Sequence, residues 1–245
     1  MSTASSLSDW FVSPQGHYVM TCEQAFFDHA VTDIFGFNAV QIGLPQHNLL
    51  RGSRIPLHIR AGKETGVELW MESVELPFET GSIDLMLLPH VLEFNAHPHQ
   101  ILREVERVML PQGNLLITGF NPHSLWGMRR WLGHKTEFPW CGNFISVPRL
   151  KDWLALLGFE LAEVRFSCYA PPFNSPALLK RSQFFEPAGD RWWEVGGGVY
   201  LIKAIKRVPG MRLIKPKWNG RLVSKFMPVP ARMNRGVSQH KQHHD

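Results

Sequence analysis

The sequence has little cysteine, no long apolar run and a single acid in its last forty residues. Only 3 of its 245 residues are cysteines, and they are far apart, which argues against a disulfide framework or a zinc site and fits a reducing cytoplasm. No stretch of about 18 apolar residues occurs, so we expect no membrane span. Residues 1–9 lack a basic segment followed by an apolar one, so we expect no secretory signal and a cytoplasmic location.

The net charge of +5 conceals two unlike regions. Residues 206–245 hold ten Lys or Arg and one acid and carry +9, whereas residues 1–205 hold sixteen Lys or Arg and twenty acids and carry −4. The whole chain is 44% hydrophobic and 19% charged, which is too apolar for a disordered protein. Its length suits one elaborated domain, or one domain with a tail.

Apolar periodicity predicts strands that alternate with helices. Helices are predicted over 14–36, where Ser13 and Pro14 form an N-terminal cap, from Pro98 to Pro111, and over 146–157. Short, strongly apolar or alternating runs predict strands at 37–43, 55–59, 67–71, 82–88, 114–120, 159–166 and 199–205. This order predicts an α/β fold with a doubly wound, mostly parallel sheet and helices on both faces.

Two segments fall outside that pattern. Residues 170–198 separate the last two strands and contain a short helix that begins after Ser175. Beyond Ser175 the same insertion holds four large aromatic residues: Phe184, Phe185, Trp192 and Trp193. We interpret it either as a lid over a site or as a cover for a sheet edge. Residues 208–245 lack periodicity, and we expect them to form a basic, largely disordered tail.

A run of linked motifs fills the middle of the chain. It consists of MESVELPF at 71–78, SIDL at 82–85, HVLEF at 90–94, ILREVERVM at 101–109 and PQG at 111–113. These motifs resemble the class I S-adenosylmethionine (SAM)-dependent methyltransferases of the type 11 group, closely over residues 67–118 and loosely over 37–205. The resemblance implies a Rossmann-like sheet of seven strands with a reversed last hairpin, within a methyltransferase-like domain that covers residues 1–207.

The resemblance also implies that SAM is the cofactor and assigns residues to it. The acid that contacts adenine in the family falls on Glu72, with Ser73 beside it. A solvated acid at a strand end is the alternative interpretation of Glu72. The turn after the fourth strand falls on Leu88, Pro89 and His90. In the family the backbone of this turn lines the methionine side of the cofactor, and its side chains face the methyl acceptor.

The chain departs from the family at the loop after the first strand. Gly43 is alone where the family has several glycines, Gln41 replaces an acid, and Pro45 stands where flexible backbone is expected. The second predicted strand also ends without the acid that holds the ribose hydroxyls in the family. Either SAM is held by substitutes such as Gln41, His47 and Glu64, or it is not held at all.

Histidines are the candidate catalytic residues. Methyl transfer needs a general base only when the acceptor is protonated and weakly nucleophilic. His90 is the first candidate, followed by His97 and His123, and each of them is as a rule a structural or surface residue instead. No metal site is predicted, and the sequence does not identify the methyl acceptor, which is either a small molecule or a macromolecule.

The motifs leave two functions open. The first is a SAM-dependent methyltransferase with an unidentified acceptor, and the alternative is a catalytically inactive methyltransferase-like binding module. An open pocket between Gly43, Glu72 and His90 would favour the enzyme, and a pocket filled by Leu44, Pro45 or His47 would favour the binding module.

The basic tail suggests a nucleic-acid partner that is compatible with either function. Ten spread-out Lys and Arg residues of 206–245 are interleaved with Trp218 and Phe226, a pattern that suits phosphate and base contacts with RNA. A solvated, non-specific tail is the alternative interpretation.

Overall fold

The computed structural model describes residues 6–133, 136–173, 175–182 and 195–207. These residues belong to one compact unit within residues 1–209. The four large aromatic residues beyond Ser175 in the predicted insertion and the predicted tail 208–245 lie outside the described residues. The lid interpretation and the domain boundary at residue 207 therefore stay predictions. Within the described part of the chain, no helix is both long enough and apolar enough to cross a membrane.

Seven strands form a single sheet. In chain order they are β1 (Asn38–Ile42), β2 (Leu57–Gly62), β3 (Leu69–Trp70), β4 (Ile83–Pro89), β5 (Met109–Phe120), β6 (Phe159–Ser167) and β7 (Val199–Lys206). Their order across the sheet is β3-β2-β1-β4-β5-β7-β6. Strands β1 to β5 are parallel, and β7 is antiparallel to both β5 and β6. The predicted α/β fold, with a mostly parallel sheet of seven strands and a reversed last hairpin, is confirmed.

The described residues contain six helices, which alternate with the strands over most of the chain. They are α1 (Leu7–Phe11), α2 (Pro14–Thr32), α3 (Pro98–Val108), α4 (Leu125–Leu132), α5 (Val147–Leu156) and α6 (Pro176–Arg181). Helix α2 begins as predicted, because the Ser13 side chain accepts a hydrogen bond of 3.1 Å from the Gly16 N–H and Pro14 occupies the first helical position. The predicted helices that begin at Pro98 and near Ser146 are present too.

Both faces of the sheet are covered, as the apolar pattern of β4 shows. Successive side chains of a strand point to opposite faces. Leu85 and Leu87 therefore join one core, to which α1 and α2 contribute, while Met86 and Leu88 join the other, to which α3 and α5 contribute. All four side chains are fully buried. The helices leave the carboxyl-terminal edge of the sheet to the loops, and that edge holds the candidate site.

The structure differs from the sequence prediction in four elements. Helices α1 and α4 were not predicted, because five and eight residues are too short for a clear helical period. Strand β5 begins at Met109 instead of residue 114, since the chain pairs with β4 on both sides of an irregularity between Ile83 and Leu85. Strand β2 ends at Gly62, three residues beyond the predicted end, and this extension changes which side chains reach the site.

Candidate active site

A cavity of about 340 Å³ opens at the carboxyl-terminal edge of the sheet. It lies where β1 ends at Gly43, β2 ends at Gly62 and β4 ends at Pro89. The order of the sheet reverses between β1 and β4, and open α/β sheets bind ligands at such a switch point. The volume lies at the lower end of the usual range of ligand pockets, about 300–1,000 Å³. We call it the strand-end cavity.

Two glycines bring the strand ends close together around this cavity. Gly43 has a φ of +84°, a left-handed conformation that favours glycine. A Cβ atom at residue 43 would lie 3.3 Å from Val91 Cγ2 and 3.6 Å from the Pro89 carbonyl oxygen. At Gly62, a Cβ atom would lie 3.8 Å from the Gly43 nitrogen. The single glycine that the sequence retains after β1 is therefore the one at the contact with β4.

Gln41 shapes the loop that follows β1. Its Nε2 group donates hydrogen bonds to the carbonyl oxygens of Gly43, Leu44 and His47, at 3.1, 3.0 and 2.8 Å. Its Oε1 atom accepts a bond of 3.1 Å from the Leu49 N–H. The side chain is fully buried and has both ends occupied, so Gln41 orders the loop and is not placed to contact a ligand.

The loop after β1 leaves the cavity open. Leu44 is buried and has a left-handed φ of +47°, and Pro45 is held by a bond of 3.0 Å from Arg60 Nη1 to its carbonyl oxygen. Both residues form part of the cavity wall without filling it. His47 points elsewhere, with its ring 5.9 Å from the ring of Phe11. The cavity is therefore open between Gly43 and His90, but Glu72, the third residue named in the sequence prediction, does not line it.

Glu64 is the acid that faces the cavity from the end of β2. It is half-buried, and its Oε2 atom accepts a hydrogen bond from the Ser8 hydroxyl of α1. Of the three substitutes considered from the sequence, Gln41, His47 and Glu64, only Glu64 is a lining residue. Its contribution depends on the extension of β2, which carries the following turn to the cavity.

Glu72 lies at the outer edge of the same region. It follows β3 and forms an ion pair with Lys63, at 2.5 Å between Nζ and Oε1. The two side chains are 56% and 61% exposed, for Lys63 and Glu72 respectively. Ser73 and Lys63 line the cavity, whereas Glu72 does not. The structure thus places the predicted adenine acid next to the cavity as a solvent-exposed, paired carboxylate.

The other predicted residues divide between the cavity wall and the core. Gly43, Pro89 and His90 line the cavity, as the sequence predicted. Leu88 is a fully buried core residue of β4 and is not a lining residue. The two further candidate bases, His97 and His123, are exposed residues and do not line the cavity.

The side chain of His90 is completely buried behind the cavity wall. Its Nε2 atom lies 2.6 Å from Glu23 Oε1, and its Nδ1 atom lies 3.5 Å from Glu93 Oε1. Burial alone would lower the pKa of His90, but the carboxylates of Glu23 and Glu93 outweigh it and raise the pKa to about 10. The imidazole is therefore protonated at neutral pH, and this geometry argues against His90 as a general base.

An aromatic pair forms part of the cavity wall. The rings of Phe94 and Phe138 lie 5.3 Å apart, and Leu7 and Val91 extend the same apolar surface. Asn95 adds one polar group. A half-buried apolar wall of this kind excludes water and packs against uncharged parts of a ligand.

Several residues of the site could not be recognised from the sequence. Helix α1 contributes Ser8 and Leu7, and its Trp10 and Phe11 anchor it in the core, but the helix is too short to be predicted. Glu23 lies on the apolar face of α2. In the sequence, a single acid in such a helix cannot be distinguished from an ordinary surface residue. The only local signal for α1 is Ser6, whose side chain caps the helix by accepting from the Asp9 N–H at 3.0 Å.

Two further grooves share no lining residue with the strand-end cavity. One, of about 440 Å³, is apolar and lies between α4 and residues 171–173. The other, of about 420 Å³, lies between α2 and the loop after β1 and contains the ion pair of Asp28 with Arg51. Among the residues that the structure describes, no group of three or more His, Cys, Asp or Glu could hold a metal ion.

Comparison with known proteins adds a family and two curated relatives. Residues 56–117 match the family described as "Methyltransferase domain". The chain is 33% identical over 134 residues to the uncharacterized protein YafS of Escherichia coli (strain K12), which is 53% of this chain and 55% of that protein. It is 31% identical over 87 residues to an uncharacterized protein of Methanocaldococcus jannaschii, which is 35% of this chain and 42% of that protein. The chain thus matches about half of the length of these curated relatives.

Solved structures share the fold over most of the chain. A SAM-dependent methyltransferase from Thermotoga maritima, described as a possible histamine N-methyltransferase, is 17% identical, covers 78% of this chain and 95% of its own, and has a TM-score of 0.55. A chain from a complex of a methyltransferase activator and a methyltransferase of Haloferax volcanii is 15% identical, covers 83% and 98%, and has a TM-score of 0.60. These identities establish a common fold, and together with the family match they confirm the resemblance inferred from the motifs.

Proposed function

We propose that this chain is a class I SAM-dependent methyltransferase that binds SAM in the strand-end cavity and transfers its methyl group to an acceptor. The observation that carries the proposal is the open cavity at the switch point of the sheet, with Gly43 and Glu64 on its walls. The family match over residues 56–117 includes the segments that supply Glu64, Ser73 and Pro89.

Glu64 suits the ribose of the cofactor. A carboxylate accepts hydrogen bonds from vicinal hydroxyls, and Glu64 already accepts one from the Ser8 hydroxyl. We infer that the ribose takes the place of Ser8 on this carboxylate. Ser73 lines the adjoining wall and Glu72 lies beside it, so this end of the cavity would receive the adenine.

Gly43 and Pro89 suit the aminoacyl end of the cofactor. Residue 43 has no side chain, so a ligand can approach the backbone of the loop closely at this position. The loop is already ordered by the four hydrogen bonds of Gln41, so it does not need the additional glycines that the family has. We infer that a rigid loop replaces a flexible one here.

The chemistry makes modest demands on the chain. SAM, when bound, supplies an electrophilic methyl group on a sulfonium. The residues of the chain bind and orient the reactants, and orientation accounts for much of the rate enhancement in such transfers. Phe94 and Phe138 keep water from an apolar part of the cavity wall. We infer that the acceptor approaches along this apolar wall.

Isothermal titration of the full chain with SAM and with S-adenosylhomocysteine tests the proposal. We expect micromolar binding of both, and no heat at millimolar ligand would overturn it. Ser73→Trp, which fills the cavity from a lining position, should abolish the signal. The matched control Thr80→Trp adds the same ring at an exposed residue outside the cavity and should bind as the wild type does.

A second candidate function is that of a binding module without methyl transfer. Two contacts favour it, because they occupy groups that a cofactor would use. Gln41 occupies the Leu44 carbonyl in the loop with reduced glycine content, and the Ser8 hydroxyl occupies the Glu64 carboxylate. Loss of SAM binding in Glu72→Ala without loss of biological activity would support this alternative. Retained function only in variants that bind SAM would support the enzyme.

The basic tail 208–245 is proposed to contact nucleic acid. Eight Lys or Arg and one acid over residues 208–245 give the charge that phosphate binding requires. Deletion of 208–245 should weaken RNA binding and flatten its dependence on salt concentration. Unchanged binding and unchanged salt dependence would contradict the proposal.

A further inference from the structure

Three ionisable side chains form a buried cluster directly behind the cavity wall. Glu23 belongs to α2, His90 follows β4, and Glu93 lies in the turn after it. Their side chains are 0%, 0% and 1% exposed, and His90 lies 2.6 Å from Glu23 and 3.5 Å from Glu93. We call this group the Glu–His–Glu cluster.

The cluster connects four elements of the site. The ring of His90 lies between the rings of Phe11 of α1 and Phe120 of β5, at 5.6 and 4.4 Å between centroids. Glu93 Oε1 accepts a hydrogen bond from the Phe120 N–H, at the end of β5. The ion pair between His90 and Glu23 adds α2 to this set.

The cluster is costly for the stability of the fold. Among the described residues, five of its own and neighbouring buried polar atoms have no hydrogen-bond partner: Glu23 Oε2, His90 Nδ1, Glu93 Oε2, Thr118 Oγ1 and Tyr200 Oη. Buried polar atoms without a hydrogen bond, and buried charges, cost free energy that an apolar core would not. A costly group beside a cavity points to a functional use.

The backbone at His90 is in an unusual conformation. Its φ is +53°, in the left-handed region that few residues other than glycine adopt. Its N–H donates a bond of 3.1 Å to the Thr118 carbonyl, which ties the turn to β5. The flanking residues, Pro89 and Val91, are the ones that pack next to Gly43 at the cavity. The orientation of this turn therefore sets the inner wall of the cavity.

We infer that Glu23 is a positioning residue of the proposed cofactor site, which keeps His90 charged and thereby holds the left-handed turn 89–91 against Gly43. The inference rests on the proposed function. Glu23 does not line the cavity, so it acts through His90 and not by touching a ligand. Its place on α2 makes that helix part of the cofactor site.

The charged and titratable neighbours of the cluster are few. Glu93 interacts electrostatically with Tyr200 beside His90. Glu23 interacts electrostatically with His47, Cys22 and Cys168. Without Glu23, the buried imidazolium retains only Glu93 as an opposite charge, at the longer distance of 3.5 Å. Burial then favours the neutral ring, and the group that holds the turn titrates closer to neutral pH.

The test is the pH dependence of ligand affinity in the full chain. S-adenosylhomocysteine is titrated into the wild type and into Glu23→Gln between pH 6 and pH 9. The ratio of their dissociation constants removes the titration of the ligand itself. We expect the variant to lose about 10-fold in affinity relative to the wild type as the pH rises over this range. A constant ratio close to one would overturn the inference.

A matched variant and a second substitution make the test specific. Asp28→Asn removes a carboxylate from the outer face of the same helix, where it pairs with Arg51, and should leave the ratio constant. His90→Asn retains a residue that tolerates the left-handed conformation but carries no charge. His90→Asn should bind S-adenosylhomocysteine more weakly than the wild type, by a similar factor at every pH. An affinity equal to that of the wild type would contradict the inference.

The outcomes separate the inference from the proposed function. A wild type that binds no ligand at any pH refutes the proposed function. A wild type that binds, with a variant of identical pH profile, refutes only the role of Glu23. If Glu23→Gln does not fold, the ¹⁵N shifts of His90 in the wild type and the affinity of His90→Asn decide the matter. Titration of wild-type His90 near pH 6.5 would overturn the inference.

Discussion

The outer rim and the inner wall of the strand-end cavity are stabilised in different ways. At the outer rim, the ion pair of Lys63 with Glu72 is more than half exposed, and the Glu64 carboxylate accepts a hydrogen bond from the half-buried Ser8 hydroxyl. At the inner wall, Gln41 and His90 form all of their contacts inside the protein. Rim residues can exchange their partners for a ligand, whereas wall residues set the shape of the cavity. Ligand contact and cavity shape should therefore respond separately to mutation.

The largest expected effect is on the free energy of unfolding, and it comes from the charge of His90 at the inner wall. The pKa of an unfolded histidine is about 6.5, and that of His90 in the folded chain is about 10. Between these values the folded state binds one more proton than the unfolded state. The stabilisation is complete below pH 6.5 and is lost as the pH rises through 10, with a slope of up to about 1.4 kcal/mol per pH unit.

Urea unfolding of the wild type and of His90→Asn between pH 6 and pH 10 measures this contribution. The difference between the two free energies of unfolding isolates His90 from other titrating groups. We expect it to shrink by on the order of 4 kcal/mol over the range. A difference that stays constant with pH would show that the pKa of His90 is the same in the folded and the unfolded chain.

Gln41 gives the next largest effect. Gln41→Ala removes four hydrogen bonds and leaves buried backbone groups of the loop without partners. We expect the free energy of unfolding to fall by about 3 kcal/mol. The control Gln24→Ala removes one side-chain bond to Asp28 on α2 and should cost about 0.5 kcal/mol or less. Equal losses in the two variants would contradict the structural role of Gln41.

Glu64 at the outer rim should affect binding and not stability. Glu64→Gln weakens the acceptor for the ribose hydroxyls, so we expect SAM affinity to fall by about 10-fold, as the loss of one charge-assisted hydrogen bond implies. The control Glu68→Gln alters an acid in the connection between β2 and β3, where it pairs with Arg60 of β2, and should bind normally. Calorimetry gives the affinities, and thermal unfolding checks that both variants are folded. Wild-type affinity in Glu64→Gln would place the ribose elsewhere.

The sheet and the position of the site follow from local patterns in the sequence. Residues 82–88 are almost continuously apolar because β4 is buried on both faces, and such a run is recognisable without knowledge of its partners. Gly43, Ser73, Pro89 and His90 could be placed at the cavity because each follows a recognisable strand. The sequence pattern is sufficient to place a residue wherever that residue's position depends only on its own strand.

The inner wall could not be predicted, because its contacts join distant parts of the chain. Glu23 and His90 are separated by 67 positions, and nothing near either residue indicates the other. Gln41 looks like a lost acid until its bonds to the following loop are seen. Glu64 became a lining residue only because β2 extends to Gly62, and strand ends are the least reliable part of a sequence prediction.

The smallest effect, and the one with the most informative sign, belongs to Ser8. Its hydroxyl occupies the carboxylate of Glu64 on which the ribose is proposed to bind. Removal of a competing donor should strengthen binding, so we expect Ser8→Ala to raise SAM affinity by about 3-fold, which is a fraction of one hydrogen bond. Ser13→Ala removes the cap of α2, at a residue that does not line the cavity, and serves as the control. If Ser8→Ala weakens binding, Ser8 supports the ligand from the rim, and α1 is then a contributor to the cofactor site and not a competitor for it.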